Sequence, residues 1–322
     1  MNNFIIITSI SRPTKAVELF SKIKNWKLIV VGDKKTPSLW EKENVIYISP
    51  EEQENLEQEF SSILPWNHYS RKMIGYLYAM KLNANIIANS DDDNLPMSNW
   101  GQNIEFEGEY RFVENNDFIN IYNFFTDQKI WPRGFPLQKI LDEKKYILKN
   151  KQAKIGIWQQ LANGDPDVDA IYRLTNNKEV NFKSKDPIVL EAETVCPFNS
   201  QNTFFKKELF PLLYLPAFVT FRFTDILRGL IAQPIMWAAG YNLGFSQASV
   251  LQKRNPHNYL KDFESEIPMY LNAEKVIKIL KNVVKKENTI KENLVTAYSE
   301  LAKEKIVMPQ EIKLLSIWVK NF

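Results

Sequence analysis

The 322-residue chain is 44% hydrophobic and 25% charged, a composition typical of a globular protein that buries a sizeable core. Its 41 basic and 38 acidic residues leave a formal charge of +3, too balanced for the strongly basic surface of a nucleic-acid-binding protein. Two histidines, His68 and His257, and one cysteine, Cys196, exclude an intrachain disulfide and are too few for a structural zinc site, so a bound metal has to be held mostly by oxygen.

The first hundred residues alternate between short β-branched segments and segments with apolar residues at helical spacing. The predicted strands cover residues 4–9, 27–31, 45–48 and 85–88, and the predicted helices cover residues 14–23, 53–60 and 71–81. This alternation predicts an α/β fold with a mostly parallel sheet flanked by helices and joined by right-handed crossovers. Such sheets bind their ligands at the carboxyl ends of the strands.

The apolar segments are too short or too charged to cross a bilayer. Residues 4–7 form an apolar run far below the ~18 residues that a spanning helix needs, and no basic leader or small-residue cleavage site accompanies it. The apolar region 209–245 contains Arg222, Asp225 and Arg228, which would be costly to bury in lipid. We therefore expect a cytoplasmic protein, and a lone cysteine fits a reducing compartment.

Beyond residue 100 the pattern is less regular, with proline, asparagine and aromatic residues that favour long loops. An amphipathic helix is predicted from residue 272, with apolar positions 276, 279, 280 and 283 on one face and lysines on another, followed by a helix over 291–304. The lysine face could rest on the inner face of an anionic membrane, although a solvated face is the simpler interpretation. We expect one domain over residues 1–262 and a helical extension over 263–322.

The sharpest local feature is an acidic triplet, Asp91, Asp92 and Asp93, directly after the strand predicted at 85–88. Three adjacent carboxylates repel one another, and a divalent cation relieves that repulsion. Mg²⁺ and Mn²⁺ prefer oxygen ligands and are commonly shared with substrate phosphates. The triplet therefore predicts a metal-diphosphate site, with a solvated acidic turn as the alternative of equal weight on the triplet alone.

Several separate motifs in the same order resemble the STELLO family of glycosyltransferases. They are residues 30–37 (VVGDKKTP), 65–80 (PWNHYSRKMIGYLYAM), 85–94 (NIIANSDDDN), 131–137 (WPRGFPL) and 164–171 (GDPDVDAI), and the resemblance runs with gaps from about residue 4 to 262. The resemblance implies a GT-A, Rossmann-like nucleotide-diphospho-sugar transferase that uses Mn²⁺ or Mg²⁺. The family is more distantly similar to the reversibly glycosylated polypeptides that act as UDP-arabinopyranose mutases.

The resemblance assigns roles to the ends of the first strands. In a GT-A fold Asp93 is the favoured metal ligand, Asp91 contacts the metal or the donor ribose, and Asp92 lies in the same nucleotide-sugar site. Asp33, after the second strand, and Thr8 and Arg12, after the first, lie in the region that such folds use for the nucleotide. Arg12 is equally well interpreted as a surface charge before a proline.

Basic residues at two further places are expected near the diphosphate. Arg71 and Lys72 begin a predicted helix whose start faces the same rim, where cations contact phosphate or neutralise the acidic triplet. Near the other end, His257 is proposed as a metal or diphosphate contact, as the late histidine of many GT-A enzymes is, with Lys253 and Arg254 balancing the charge of the leaving diphosphate.

An inverting transferase needs a base, because the incoming hydroxyl loses its proton as it attacks. The favoured candidate is Asp225, an isolated acid in an apolar region at the start of a predicted helix. Burial would make it a better base, whereas a neighbouring arginine would favour its ionised form, and a helix N-terminal acid paired with arginine is the structural alternative. The competing acids are Asp165, Asp167 and Asp169.

The sequence leads to one favoured function and two alternatives. The favoured function is transfer of a sugar from a nucleotide diphosphate sugar, most simply a UDP-sugar, to a cell-surface glycan or a lipid-linked acceptor, with inversion. The first alternative is a self-glycosylating mutase with Arg133 as the attachment point. The second is a noncatalytic scaffold or binding protein.

Overall fold

The computed structural model describes residues 2–102, 104–142, 146–253 and 258–322. The strands in these ranges are β1 (Asn3–Thr8), β2 (Trp26–Val31), β3 (Val45–Ile48), β4 (Ile86–Ser90), β5 (Asn94–Pro96), β6 (Glu107–Glu114), β7 (Ile147–Gly164), β8 (Ile188–Leu190), β9 (Asn202–Lys206) and β10 (Asn242–Gln252). The α-helices are α1 (Lys15–Phe20), α2 (Pro50–Leu56), α3 (Gln58–Ile63), α4 (Lys72–Lys81), α5 (Ala170–Thr175), α6 (Thr224–Ala238), α7 (Tyr259–Val283), α8 (Ile290–Lys303) and α9 (Gln310–Trp318).

The N-terminal strands form the parallel part of the sheet, in the order β3-β2-β1-β4. Residues 4–7 of β1 are fully buried on both faces, as the apolar run predicts. Helix α1 packs on one face and α4 on the other. Gly75 allows α4 to lie this close, because a Cβ there would be 2.6 Å from Cγ2 of Ile6 and 2.8 Å from Cγ2 of Val31.

The prediction of a mostly parallel sheet is wrong, since the sheet as a whole is mixed. β9 lies antiparallel between β4 and β7, β6 is antiparallel to β7, and β10 is antiparallel to β5 and β8 but parallel to β7. The strands after residue 100 were not predicted. The buried Gln159 and Gln160 interrupt the apolar pattern that would indicate a strand at β7. Their burial is tolerated because their side chains form hydrogen bonds with polar groups inside the fold.

The C-terminal helices pack on the same core as the sheet. The division expected between residues 262 and 263 lies inside α7, which begins at Tyr259 rather than near residue 272. Leu314 and Trp318 of α9 belong to the same buried cluster as Ile6 of β1. The helix expected over 291–304 is α8, whereas α9 was not predicted. No helix within the described ranges combines the length and apolarity needed to cross a bilayer.

Candidate functional site

One edge of the sheet collects the polar residues singled out in the sequence. β1, β2 and β4 run in the same direction, and β7 and β10 share that direction because β9 runs opposite to both β4 and β7. The carboxyl ends of these strands therefore meet at one edge, together with the start of β9. The acidic triplet Asp91–Asp93 occupies this edge as the turn between β4 and β5 and is called the acidic turn below.

A cavity of about 370 Å³ lies at this edge, lined among others by Thr8, Asp33, Arg71, Asp225 and the whole acidic turn. Its wall also contains groups to which the sequence analysis assigned no role, namely Ser9, Asn67, His68, Tyr69, Gln201, Phe221, Arg222 and Gln252. The described residues place six carboxylates on the wall (Asp33, Asp91, Asp92, Asp93, Asp167, Asp225) and four cationic side chains (Lys35, Arg71, Arg133, Arg222). The described part of the wall thus carries more acidic than basic side chains.

Hydrogen bonds from two strand ends hold the acidic turn. The Ser9 hydroxyl donates to Oδ2 of Asp92 at 2.5 Å, and Thr14 donates to the Asp92 carbonyl at 2.6 Å. On the other side, Nε2 of Gln252 donates to the Asp93 carboxylate at 3.3 Å, and the Lys253 amide donates to the Asp93 carbonyl at 3.2 Å. Burial raises the pKa of Asp92, opposed by its bond from Ser9.

Lys72 supports Asp91 from below the turn. The fully buried ammonium donates to Oδ1 of Asp91 at 3.1 Å, to the Ser90 carbonyl at 2.7 Å and to the Tyr69 hydroxyl at 2.8 Å, so its three donors are used. Tyr69 in turn donates to the same Oδ1 at 3.0 Å. Burial raises the pKa of Asp91 and lowers that of Lys72, and their ion pair opposes both shifts. Lys72 thus forms an ion pair with one of the three carboxylates, that of Asp91, and it is not on the cavity wall.

Arg71 is occupied by the protein itself. Its guanidinium donates to Gln53, Ser61 and the Leu64 carbonyl and lies 3.4 Å from the ring centroid of Trp66. It is 1% exposed, and burial lowers its pKa to about 10. These contacts join α2, α3 and the 64–66 segment to α4, so the side chain forms part of the cavity wall with most of its donors used.

Asp33 is part of the same cavity wall as the acidic turn. Both of its carboxylate oxygens accept from the Asn67 amide at 2.9 Å, and Oδ1 accepts from the Lys34 amide at 2.6 Å.

His68, the residue after Asn67, caps the turn that leads into α4, because its Nδ1 accepts from the Ser70 amide at 3.1 Å. Nδ1 is therefore the unprotonated nitrogen, and burial lowers the pKa of the ring.

The carboxylate oxygens of the acidic turn are suitable ligands for a hard divalent cation. Oδ1 of Asp91 accepts hydrogen bonds from Lys72 and Tyr69, whereas no described residue donates to Oδ2. The Asp91 side chain is 29% exposed and lines the cavity. Across the described ranges, no three His, Cys, Asp or Glu side chains are grouped as a metal site. Mg²⁺ is commonly held by one or two carboxylates with substrate phosphates and waters, which is the arrangement that this turn could support.

A second buried cluster joins Asp225 to Arg133 and Asp167. The Arg133 guanidinium binds Asp167 with Nε at 2.7 Å and Nη2 at 2.8 Å, and Nη2 also reaches Oδ1 of Asp225 at 3.0 Å. Nη2 of Arg133 also reaches Oδ2 of Asp225 at 3.2 Å, and the Ser200 and Ile226 amides donate to Asp225 at 3.1 Å, so four donor contacts surround its two oxygens. Asp225 thus has the geometry of the structural alternative, a helix N-terminal acid paired with an arginine.

The acids that compete with Asp225 lie in different places. Asp167 is on the cavity wall, where it is bound by Arg133 and by Nδ2 of Asn199 at 2.8 Å. Asp165 pairs with Arg173, and Asp169 caps α5 by accepting from the Tyr172 amide at 2.9 Å, and neither lines the cavity. Burial raises the pKa of Asp169 to about 6.

The remaining basic candidates are not all brought to the cavity. Arg12 is exposed and does not line it, and the exposed Lys253 touches the acidic turn through its backbone amide only. Arg254 and His257 lie outside the described residues. The wall residues that sequence reasoning missed, such as Gln201 and Gln252, come from the ends of β9 and β10, two strands that the pattern did not reveal.

Comparisons with known proteins agree with the motif resemblance. The family described as STELLO glycosyltransferases matches residues 222–322. Two Arabidopsis thaliana proteins, named probable glycosyltransferase STELLO2 and STELLO1, are 25% and 24% identical over 99% of this chain and 44% of their own length. The chain thus spans less than half the length of the curated relatives it matches. The resemblance to STELLO glycosyltransferases is confirmed.

Proposed function

We propose that this chain is a cation-dependent glycosyltransferase of GT-A type, which binds a nucleotide diphosphate sugar in the cavity at the carboxyl ends of β1, β2 and β4. The observation that carries the proposal is the acidic turn, which lies on the cavity wall directly after β4. The similarity to proteins named as glycosyltransferases supports the reaction class. A UDP-sugar donor and a glycan or lipid-linked acceptor are part of the proposal.

The charge of the cavity supports a cation between protein and donor. Six carboxylates and four cationic side chains line it among the described residues, so a diphosphate placed beside the acidic turn would be repelled. A Mg²⁺ or Mn²⁺ ion held by Asp91 and Asp93 would remove that repulsion. When bound, such an ion supplies charge stabilisation to the phosphate oxygens.

The chain's own residues then orient the site. Lys72 and Tyr69 hold Asp91, while Ser9 and Gln252 hold Asp92 and Asp93, so these contacts fix the shape of the turn. The wall around Thr8, Asp33 and Asn67 provides the place for the nucleoside. Asp225 stays the proposed base for an inverting transfer, and that role requires one of its present hydrogen bonds to open for the acceptor hydroxyl.

The proposal is tested by combining Mn²⁺ with a panel of nucleotide sugars and measuring thermal stabilisation and donor turnover. Asp93→Asn should lower Mn²⁺-dependent turnover more than about 100-fold, because a carboxylate ligand of the cation is lost. Asp127→Asn, at an exposed position that pairs with Lys183, is the matched control and should act as the wild type does. Unchanged turnover in the Asp93 variant would reject this site.

The mutase alternative makes Arg133 the sugar attachment point. Arg133 is 5% exposed and bonded to Asp167 and Asp225, and these carboxylates keep its pKa well above the ordinary value. A nitrogen so firmly protonated is a poor nucleophile, so the geometry favours transfer to a separate acceptor. A stable sugar adduct in the intact mass after incubation with donor would reverse this preference.

A noncatalytic binding protein is the other alternative. Titration calorimetry separates it from both enzymes, since a scaffold needs no nucleotide. Absence of binding for every nucleotide in the panel, with and without Mn²⁺, would favour the scaffold.

A further inference from the structure

Arg222 is a cationic side chain of the cavity wall whose direction is set by a buried carboxylate. Its Nε donates to Oε1 of Glu266 at 2.9 Å, and its Nη2 lies 2.8 Å from the same oxygen in an ion pair. Glu266 is itself fully buried, with Oε2 accepting from the Ala170 amide at 2.7 Å and from the Tyr270 hydroxyl at 2.5 Å. The pair joins α7 to the segment before α6, and the ion pair with Glu266 fixes the position of the Arg222 guanidinium.

The backbone of Arg222 is fixed as well. Its carbonyl accepts from Nη1 of Arg133, and its amide donates to Oγ of Ser265 at 3.3 Å. The neighbouring Phe221 ring lies 6.1 Å from the ring of Tyr69, whose hydroxyl donates to Asp91. Arg222 therefore enters the cavity from a segment that packs beside the acidic turn.

The other described cations on the wall are differently engaged. Arg71 donates to Gln53, Ser61 and Leu64, and Arg133 is bound by two carboxylates and the Arg222 carbonyl, whereas Lys35 is exposed at the rim. No described residue accepts a hydrogen bond from Nη1 of Arg222. This guanidinium thus combines a fixed position with unused donors, the arrangement suited to a phosphate oxygen.

We infer that Arg222, held by Glu266, forms an anion subsite that binds the diphosphate of the donor beside the acidic turn. The inference rests on the proposed function and adds a residue to it. In the transfer, the acceptor oxygen bonds to the anomeric carbon while the bond from that carbon to the phosphate oxygen breaks, and its electron pair stays on the diphosphate. The acceptor proton goes to the base. Arg222 stabilises the charge that develops on the leaving diphosphate.

The test compares affinities for UDP, GDP and ADP, and for the corresponding nucleosides, in the presence of Mn²⁺. Arg222→Gln should weaken binding of the preferred nucleoside diphosphate about 10- to 100-fold, the range for hydrogen bonds to a charged group, and leave the affinity of the nucleoside unchanged. Arg222→Lys should give an intermediate loss, because it keeps the charge but not the fork. Arg111→Gln, at an exposed position on β6, is the matched control.

The variants also separate the possible failures. Arg222→Gln removes the counter-ion of the buried Glu266, so melting curves are recorded for each variant. Arg222→Lys retains a cation for that carboxylate if the glutamine variant does not fold. Equal affinity of wild type and variants for the diphosphate would overturn the subsite and leave the proposed function intact. The same result is expected if Arg222 binds an anionic acceptor instead of the donor. If the wild type binds no nucleoside diphosphate, the proposed function fails and the subsite fails with it.

Discussion

Several polar residues at this site stabilise the shape of the protein. Lys72 was expected near phosphate or near the acidic triplet, and the structure places it under the triplet with its three donors used. Arg71, its neighbour in the sequence, faces a different set of partners in α3 and the 64–66 segment. Adjacent basic residues thus have separate tasks, because successive side chains of a helix point about 100° apart.

Replacement of Lys72 by methionine tests its structural task. The variant leaves the carboxylate of Asp91 and the Ser90 carbonyl without their buried partner, and we expect the free energy of unfolding to fall by about 3 kcal/mol. Lys22→Met, which removes an exposed pair with Glu18, should change it by less than about 1 kcal/mol. Denaturant unfolding of both variants measures the difference, and equal effects would show that the buried contacts of Lys72 add no net stability.

At the scale of elements, helix starts and strand ends carry the polar chemistry. The capping boxes at Ser49 and Thr289 follow directly from local sequence. The cap of α5 is different, because Asp169 is buried beneath Trp131, whose Nε1 donates to Oδ2 at 2.6 Å. A short helix is thereby tied to a distant loop, which no local pattern reveals.

The pKa of Asp169 makes stability depend on pH. Its folded value of about 6 exceeds the ordinary 3.8, so the folded protein keeps a proton that the unfolded chain releases between these values. The contribution of Asp169 is therefore fully present below about pH 4 and is lost as the pH rises through about 6, with a total of about 3 kcal/mol. We expect the stability of the wild type relative to Asp169→Asn to fall over this range.

Denaturant unfolding at several pH values checks this prediction. Asparagine retains an oxygen for the Tyr172 amide, so the variant keeps the helix cap while losing the titration. Asp186→Asn, at an exposed position, serves as the control and should show no comparable change. A difference between wild type and Asp169→Asn that does not vary with pH would contradict the assignment.

On the scale of the whole molecule, the last helices and the sheet share one core. Glu311 of α9 is buried and accepts from the Tyr214 hydroxyl and from the Ala217 and Phe218 amides, which belong to the segment before α6. Leu314 lies in the same apolar cluster as Ile6. We therefore expect the chain beyond residue 262 to unfold together with the sheet.

Leu314→Ala tests this coupling. Truncation of a fully buried leucine should lower the free energy of unfolding by about 3 kcal/mol, and hydrogen exchange of the β1 amides should report the same loss as the amides of α9. Lys313→Ala, on the exposed side of the same helix, is the control. Exchange that accelerates in α8 and α9 alone would show that these helices open separately.

Much of the structure of the first hundred residues could be predicted, because its signals are local. The strands β1 to β4 match their predicted positions within two residues, since their short β-branched runs are bounded by turn residues. Residues 53–60, predicted as one helix, instead belong to the successive helices α2 and α3. Beyond residue 100 prediction failed for β6 to β10, because their pairing is between distant segments and because buried glutamines replace apolar residues in β7 and β10.

The amino-acid sequence by itself determined the parallel N-terminal part of the sheet, the position of the acidic triplet after β4 and the STELLO resemblance, because strand patterns and motifs are continuous along the chain. Only the tertiary structure decided that the sheet is mixed, that Arg133 joins Asp167 to Asp225, and that Glu266 holds Arg222 at the cavity. The physical reason is that the hydrogen-bond partners of a buried charged side chain are the groups that the tertiary fold brings close to it, which need not be its neighbours in the sequence. Arg222 and Glu266 are 44 residues apart, and no periodicity of the chain encodes that contact.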